Sequence, residues 1–395
     1  MRYARPGPGT ALVLALLLPV ALAACTPDRE EDAVAALVDA RTRAVSLGFE
    51  DVVVEDADWD EIAAELDRVN ANAVHLAAGR PEWSAFPWPG SSERESAAVA
   101  RTGRDFLAEA IDAVATDADG RVRRVVLTVD ALAPETLAAD PALAGEEVDG
   151  ARSGLFASAS ALHDGEVGEA LVAMVGHLAA TYGPDEITLT ELMFDGATFG
   201  DDDLTLFREM TGARDWPRTD DGDIDVEAPE LGTWRSRVLA DLLGRLRGAA
   251  APHGVELAVD VRASWEDPVH GRAASGHDLA ILEGDVDRFV VWNYLGLAGR
   301  DPVESATLTA ALAEGGIDPA RVTMSVGLWA EGDATQDADV ASTDDGAEGV
   351  LDPEVVAEGV RFSASHDVTS VSVTPRSLLT PEHLDRLAEV WGAPD

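Results

Sequence analysis

Glu186-Ile187-Thr188-Leu189-Thr190-Glu191-Leu192-Met193-Phe194-Asp195 is a short run rich in β-formers that ends among acids, and it lies between two long amphipathic segments, Glu166 to Tyr182 and Leu231 to Arg247. A strand framed by helices is the unit of a parallel sheet, because parallel neighbours need a crossover of a dozen or more residues. The same alternation recurs outward along the chain. Strands are expected near Asp51 to Val54, Ala73 to Ala77, Val122 to Val129, Glu186 to Leu192, Val255 to Val261, Arg288 to Asn293, Val322 to Leu328 and Thr369 to Thr374. The helices between and after them are expected at Trp59 to Val69, Ala97 to Ala115, Glu166 to Tyr182, Leu231 to Arg247, around Leu279, and at Val303 to Leu312, Pro353 to Phe362 and Pro381 to Val390. In the fourth, Leu231, Trp234, Val238, Leu242 and Leu246 recur at three- and four-residue spacing, so one apolar face should pack on the sheet.

Eight such units fit a (β/α)8 TIM barrel, an α/β fold that typically takes about 250 residues and tolerates long insertions. The alternative is an open doubly wound sheet, but no glycine-rich dinucleotide turn follows the first expected strand. The extra length sits in three acidic stretches, Pro134 to Leu162, Gly196 to Glu230 and Glu331 to Gly349. Each follows a strand and is therefore expected on the carboxyl face of the barrel, where such enzymes place their active sites. The expected organisation is a signal peptide over 1–24, a tether and lead-in helix over 25–47, and the barrel over 48–395.

The 395 residues include 74 acidic and 29 basic side chains, for a net charge of −45. Such a surface repels phosphates, which excludes nucleic acid as a natural partner. Every basic residue is an arginine, so chemistry that needs a lysine Schiff base or a phosphate-loop lysine is excluded as well. At the amino terminus, Arg2 and Arg5 precede an apolar run from Ala11 to Ala23, which reads as a secretory signal. That run is 13 residues, short of the roughly 18 to 20 that span a bilayer. Leu22-Ala23-Ala24-Cys25 resembles the bacterial lipobox, which implies a diacylated Cys25 and an exported lipoprotein held on the extracellular side of the cell membrane. The single cysteine allows no intramolecular disulfide.

In a barrel, side chains at the carboxyl ends of the strands converge on one cup. The expected strand ends offer Glu55 and Asp56, His75, Asp130, Glu191 and Asp195, Asp260 and Arg262, Trp292-Asn293-Tyr294, Trp329 and Glu331, and Arg376. The loop after the second strand adds Arg80, Trp83 and Trp88 within a proline-stiffened stretch. Carboxylates supply acid and base, and aromatic faces cover the C–H side of a sugar ring, so the set suits a polysaccharide or oligosaccharide. Glu191, Asp195, Asp260 and Glu331 are the catalytic candidates, and the others are candidates for substrate binding. If the fourth strand stays extended, Glu191 and Asp195 stand about 13 Å apart at roughly 3.3 Å per residue, too far for a glycosidase pair. Either the chain turns, or the second acid comes from another strand. Glu191 paired with Arg262 purely to hold the barrel mouth is the structural alternative. No cofactor is implied, and no histidine or cysteine spacing suits a transition metal. Asp220-Asp221-Gly222-Asp223-Ile224-Asp225 has the composition of a calcium loop, with its glycine out of place for the helix-loop-helix type.

Several of these stretches together resemble the glycosyl hydrolase-like barrels of bacterial envelope proteins, including the hydrolase-like domain of poly-N-acetylglucosamine deacetylases. They are Asn72-Ala73-Val74, Leu192-Met193-Phe194-Asp195-Gly196, Trp234-Arg235 and Val290-Val291-Trp292-Asn293-Tyr294. The resemblance implies an acid at the end of strand four, which falls on Asp195, although the family pattern often has two consecutive aspartates there and this chain has Asp195-Gly196. Thr190-Glu191 is similar to the strand-four Asn-Glu of larger retaining glycosidases, which implies Glu191 as acid and Glu331 as a conceivable strand-seven partner. The expected activity is glycoside hydrolysis at the cell surface. A barrel that only binds glycan is the alternative.

Overall fold

The computed structural model describes residues 33–262, 264–330 and 349–392. Its frame is eight strands: β1 (Thr42–Leu47), β2 (Ala73–Arg80), β3 (Arg124–Asp130), β4 (Glu186–Thr190), β5 (Glu256–Arg262), β6 (Arg288–Asn293), β7 (Val322–Gly327) and β8 (Ser370–Thr374). Each pairs in parallel with its neighbours in the chain, and β1 pairs with both β2 and β8, which closes the ring. One principal helix follows each strand: α1 (Trp59–Arg68), α2 (Phe106–Val114), α3 (Glu166–Tyr182), α4 (Pro229–Ala250), α5 (Leu279–Leu282), α6 (Glu304–Glu314), α7 (Pro353–Ser363) and α8 (Pro381–Trp391). The fold is a (β/α)8 TIM barrel.

The period of two along each strand divides its residues into two rows. One row is large and apolar: Val74, Leu127, Leu189, Val259 and Val326 are buried in one cluster with helix residues such as Leu66, Leu171 and Leu242. The other row is small or polar, including Ala44, His75, Thr188, Ser325 and Ser372. Glu186 of β4 bonds Arg288 of β6, and these strands are not neighbours, so the polar row faces the lumen. Leu231, Trp234, Val238, Leu242 and Leu246 of α4 are all buried, as their spacing predicts.

At the amino-terminal end of the lumen, Glu186 accepts from Arg124 at 3.0 Å and from Arg288 at 3.1 Å, and Arg124 also reaches Glu256 at 2.5 Å. His75 lies beside this cluster. Burial, and then Arg124 and Arg288, press its pKa down to about 4, so its ring is neutral.

Two expected elements are corrected. Asp51 to Val54 is not the first strand. Phe49–Val52 is a helical turn, and β1 lies upstream within the stretch expected to be tether, so the barrel begins at Thr42 rather than at residue 48. The reason is that Asp51 is buried and bonded to Arg376, which a β-branched run cannot reveal. The helix expected over Ala97 to Ala115 is two helices, Ala97–Thr102 and α2, separated at Gly103 with φ 66°.

Of the three long stretches, Glu331 to Gly349 lies, except for Gly349, outside the described residues, and the other two carry regular elements. After β3 come a helix (Pro134–Ala139), a hairpin (Ala144–Glu146 with Arg152–Ala157) and a helix (Ala159–His163), and after β4 comes a helix (Asp201–Thr211). They clasp each other. The Phe199 amide donates to the Glu146 carbonyl at 2.8 Å, and Asp203 accepts from the Ser160 amide at 2.9 Å. Gly145 lies at the contact, where a Cβ would fall 2.3 Å from the Ala197 carbonyl oxygen.

Candidate active site

Strand register places Asp130 beside Thr190, and Arg262 beside Trp292. Leu189 is level with Val259, so the next residues, Thr190 and Asp260, share the same lumen layer. The carboxyl ends of β3 to β6 thus bring Asp130, Thr190, Asp260, Arg262 and Trp292 into one cup. Beyond Thr190 the chain does not stay extended. Glu191 has φ 55°, a left-handed conformation that costs a non-glycine residue about 1 kcal/mol or more. The Met193 amide folds back onto the Glu191 carbonyl at 3.0 Å. The chain therefore turns at Glu191 itself, and the extended spacing between Glu191 and Asp195 does not apply.

Glu191 is 26% exposed, and its carboxylate meets the Arg262 guanidinium at 3.6 Å. Burial pushes its pKa up to about 7; Arg262 and Arg80 oppose the rise and Asp130 adds to it. Asp260 is also raised to about 7, mainly by burial. The Thr190 hydroxyl and the Trp292 indole face it and restrain the rise, while Glu191 increases it. Even so, Asp260 Oδ1, Trp292 Nε1 and Arg262 Nε are buried with no completed hydrogen bond. Burial thus holds both carboxyls protonated into the neutral range, and the Glu191 charge further opposes ionisation of Asp260.

Asp130 is held differently. It accepts from Arg80 Nε at 2.8 Å and from the Leu132 amide at 2.8 Å, while burial raises its pKa. The Arg80 guanidinium lies 5.4 Å from the Phe49 ring, and Phe49 meets Trp83 edge-on at 4.6 Å. On the other side of the cup, the Arg262 guanidinium lies 5.4 Å from the Trp292 ring. Trp292 stacks on Tyr294 at 4.9 Å, and Tyr294 meets Trp329 at 5.1 Å. Tyr294 fits because residue 327 is glycine: a Cβ there would fall 2.5 Å from the ring. Burial, with Asp260 and Glu191 nearby, holds the Tyr294 hydroxyl well above its usual pKa.

Asp195, four residues past Glu191 beyond the carboxyl end of β4, is exposed beside Gly196. Several other sequence candidates lie away from the cup. His75 is level with Glu186, four residues below Asp130 in the strand register, and belongs to the lower charge cluster. Asn293 occupies the outward row, where its side-chain amide donates to Ser305 Oγ at 2.8 Å and Ser363 Oγ at 2.9 Å. Trp88 is buried beside Phe86 and His177 under the second loop. Arg376 bonds Asp51 at 2.8 Å and Glu65 at 2.6 Å, tying the loops after β8 and β1 to α1. Glu55 pairs with Arg101, with both side chains largely exposed. Glu331 and Cys25 lie outside the described residues.

Sequence reasoning missed Phe49, Gly327 and the loop residues after β5. Of these only Gly327 carried a signal, as a glycine on the lumen row at a strand end. Among the described residues no group of three histidine, cysteine or acidic side chains could hold a metal ion, and no helix is long and apolar enough to cross a membrane. A cavity of about 1100 Å³ opens at the opposite end of the barrel, lined in part by Arg43, Asn72, Arg123 and Trp391. The acids of the cup are not among its walls.

The closed ring of strands defines the class by its fold, a (β/α)8 barrel with an acid-lined cup at its carboxyl end, and solved glycoside hydrolases share that fold. The PgaB (BpsB) glycoside hydrolase domain from Bordetella bronchiseptica is similar to this chain with a TM-score of 0.58 and 14% identity, covering 88% of this chain and 95% of that one. The β-galactosidase of the psychrophilic Marinomonas ef1 is similar with a TM-score of 0.62 and 13% identity, covering 89% of this chain and 59% of its own. A β-galactosidase from Rahnella sp. R3 gives a TM-score of 0.56 at 12% identity, covering 85% and 50%. This chain therefore spans little more than half the length of those two enzymes, and at such identities the likeness is one of fold. No protein family and no curated protein matches the sequence.

Proposed function

We propose that the protein is a membrane-anchored, extracellular glycoside hydrolase that cleaves a polysaccharide, with Glu191 as proton donor and Asp260 as the second carboxylate. The observation that carries this reading is the pair itself: two carboxyls at the lumen mouth, both lifted to about 7, beside an aromatic wall. A general acid works best when its pKa lies near the operating pH, and burial gives Glu191 that property. Asp260 is one strand away, its Oδ1 without a partner and so free to act as nucleophile or base. Trp292, Tyr294 and Trp329 offer continuous apolar area for the C–H faces of sugar rings, and Arg262 carries an unused Nε donor at their edge. The likeness to the PgaB domain, together with the sequence resemblance, makes poly-N-acetylglucosamine and its partly de-N-acetylated form the first substrates to try.

The test is reducing-end release from a panel of polysaccharides that includes these two. Glu191→Gln should abolish release and spare glycan binding, and turnover unchanged by that substitution removes Glu191 from the mechanism. A wild-type protein that binds a glycan of the panel without cleaving it is instead a glycan-binding surface lipoprotein. Anchoring is tested separately: Cys25→Ala should move the protein from the membrane fraction to the medium and end its labelling by an alkynyl fatty acid.

A further inference from the structure

The left-handed conformation of Glu191 is one that its own side chain disfavours, so contacts outside the turn must hold it. Two such contacts come from the loop after β5. His277 Nε2 lies 2.9 Å from the Leu192 carbonyl oxygen, and the Ser275 carbonyl accepts from the Phe194 amide at 3.0 Å. A carbonyl oxygen can only accept, so His277 carries its proton on Nε2. The ring is 2% exposed, and burial presses its pKa to about 4; Arg262 and Arg272 act in the same direction and the Leu192 bond opposes them. The imidazole is therefore neutral at any working pH, and its Nδ1 has no partner. The loop is itself anchored. The His277 amide donates to the Arg272 carbonyl at 3.0 Å, and the Asp278 amide donates to Ser236 Oγ of α4 at 3.2 Å. Gly276, with φ 87°, lies so close to α4 that a Cβ would fall 2.7 Å from Leu239.

We propose that His277 is a positioning residue for this site: its Nε2–H grips the Leu192 carbonyl and so keeps the Glu191 carboxyl turned over the cup. The inference rests on the reading of Glu191 as proton donor. It is tested in the full chain by comparing His277→Gln, whose amide can still donate, with His277→Phe, which keeps ring volume but leaves the carbonyl unpaired. His277→Leu serves as a second donor-free variant should the phenylalanine fail to fold. The first readout needs no substrate: the Glu191 carboxyl is titrated by carbon NMR, its signal assigned by its loss in Glu191→Gln. The titration should centre near 7 in the wild type and in His277→Gln, and fall by about one unit or more toward the free glutamate value without the donor. On a cleaved polysaccharide of the panel, the donor-free variants should lose roughly tenfold in kcat with KM little changed, as expected for one buried hydrogen bond. The alkaline limb of their rate profile should move down with the carboxyl. A Glu191 titration left in place by the donor-free variants overturns the proposal, as does a His277→Gln protein no better than they are. If Glu191→Gln turns over normally, the catalytic reading fails; if it is inactive while His277→Phe is unchanged, only the brace fails.

Discussion

At the amino-terminal end of the lumen, Glu186 is 2% exposed and bonded to Arg124 and Arg288 at about 3 Å, with Glu256 completing the cluster. At the carboxyl end, Glu191 is 26% exposed and meets Arg262 only at 3.6 Å, while Asp260 Oδ1, Arg262 Nε and Trp292 Nε1 lack partners. Both ends set acids and arginines on the same strands or on the residue just past them, four to six positions apart. Their difference is completeness. Fully partnered buried charges hold neighbouring strands together, and removing one member leaves its partners stranded. Buried polar atoms without partners each cost about 1–3 kcal/mol, so they mark a place that a ligand can complete.

Substitutions at the two ends should therefore separate chemistry from stability. The largest effect is expected for Glu191→Gln, which should lower sugar release by about 10² to 10⁴ with an unchanged or higher melting temperature. In the wild type, the rate should be bell-shaped about neutral pH, rising as Asp260 loses its proton and falling as Glu191 loses its own, both near 7. A profile with no alkaline limb would remove Glu191 as the acid. Next, Glu186→Gln strands two arginines and should destabilise the fold by roughly 3–5 kcal/mol in denaturant titrations, with kcat of the folded fraction unchanged. An equal loss of kcat at this position would mean the two ends are not independent. Asp260→Asn should act on stability in a pH-dependent way. The folded carboxyl titrates near 7, and in the unfolded chain it titrates near the ordinary aspartate value of about 3.9. The fold thus binds the proton more tightly, and wild-type stability declines as pH rises between these values. The asparagine protein should gain on the wild type across that window, by about 1–2 kcal/mol above pH 7, as functional sites often do when disarmed. The smallest effect is expected for Trp292→Ala, which should weaken oligosaccharide binding by roughly tenfold in calorimetry without changing the pH limb.

The barrel was legible because seven of its strands carry largely apolar outward rows long enough to show. β1 was not: Thr42–Leu47 has Ala44 and Ser46 on its lumen row, and the stronger Val52-Val53-Val54 run just beyond it is drawn into a helical turn and loop. Asp260, Arg262, Trp292 and Tyr294 could be collected in advance because they share the lumen parity at strand ends. The same parity places Asn293 outside, between helices, and would have excluded it. Trp88 illustrates a limit of composition, since an aromatic cluster in a loop looks alike whether it stacks on sugar or fills a small core. The turn at Glu191 had no local signal. It depends on His277 and Ser275, more than eighty residues away in sequence, and only the closed ring brings them together.

The clasp between the insertions after β3 and β4 has a consequence for how the rim moves. With the Phe199 amide held by Glu146 and the Ser160 amide held by Asp203, neither insertion can lift without breaking bonds made by the other. Their protected amides should exchange with deuterium as one cooperative block, and a single protease nick in the Asp149-Gly150 hairpin turn should unlatch both walls at once.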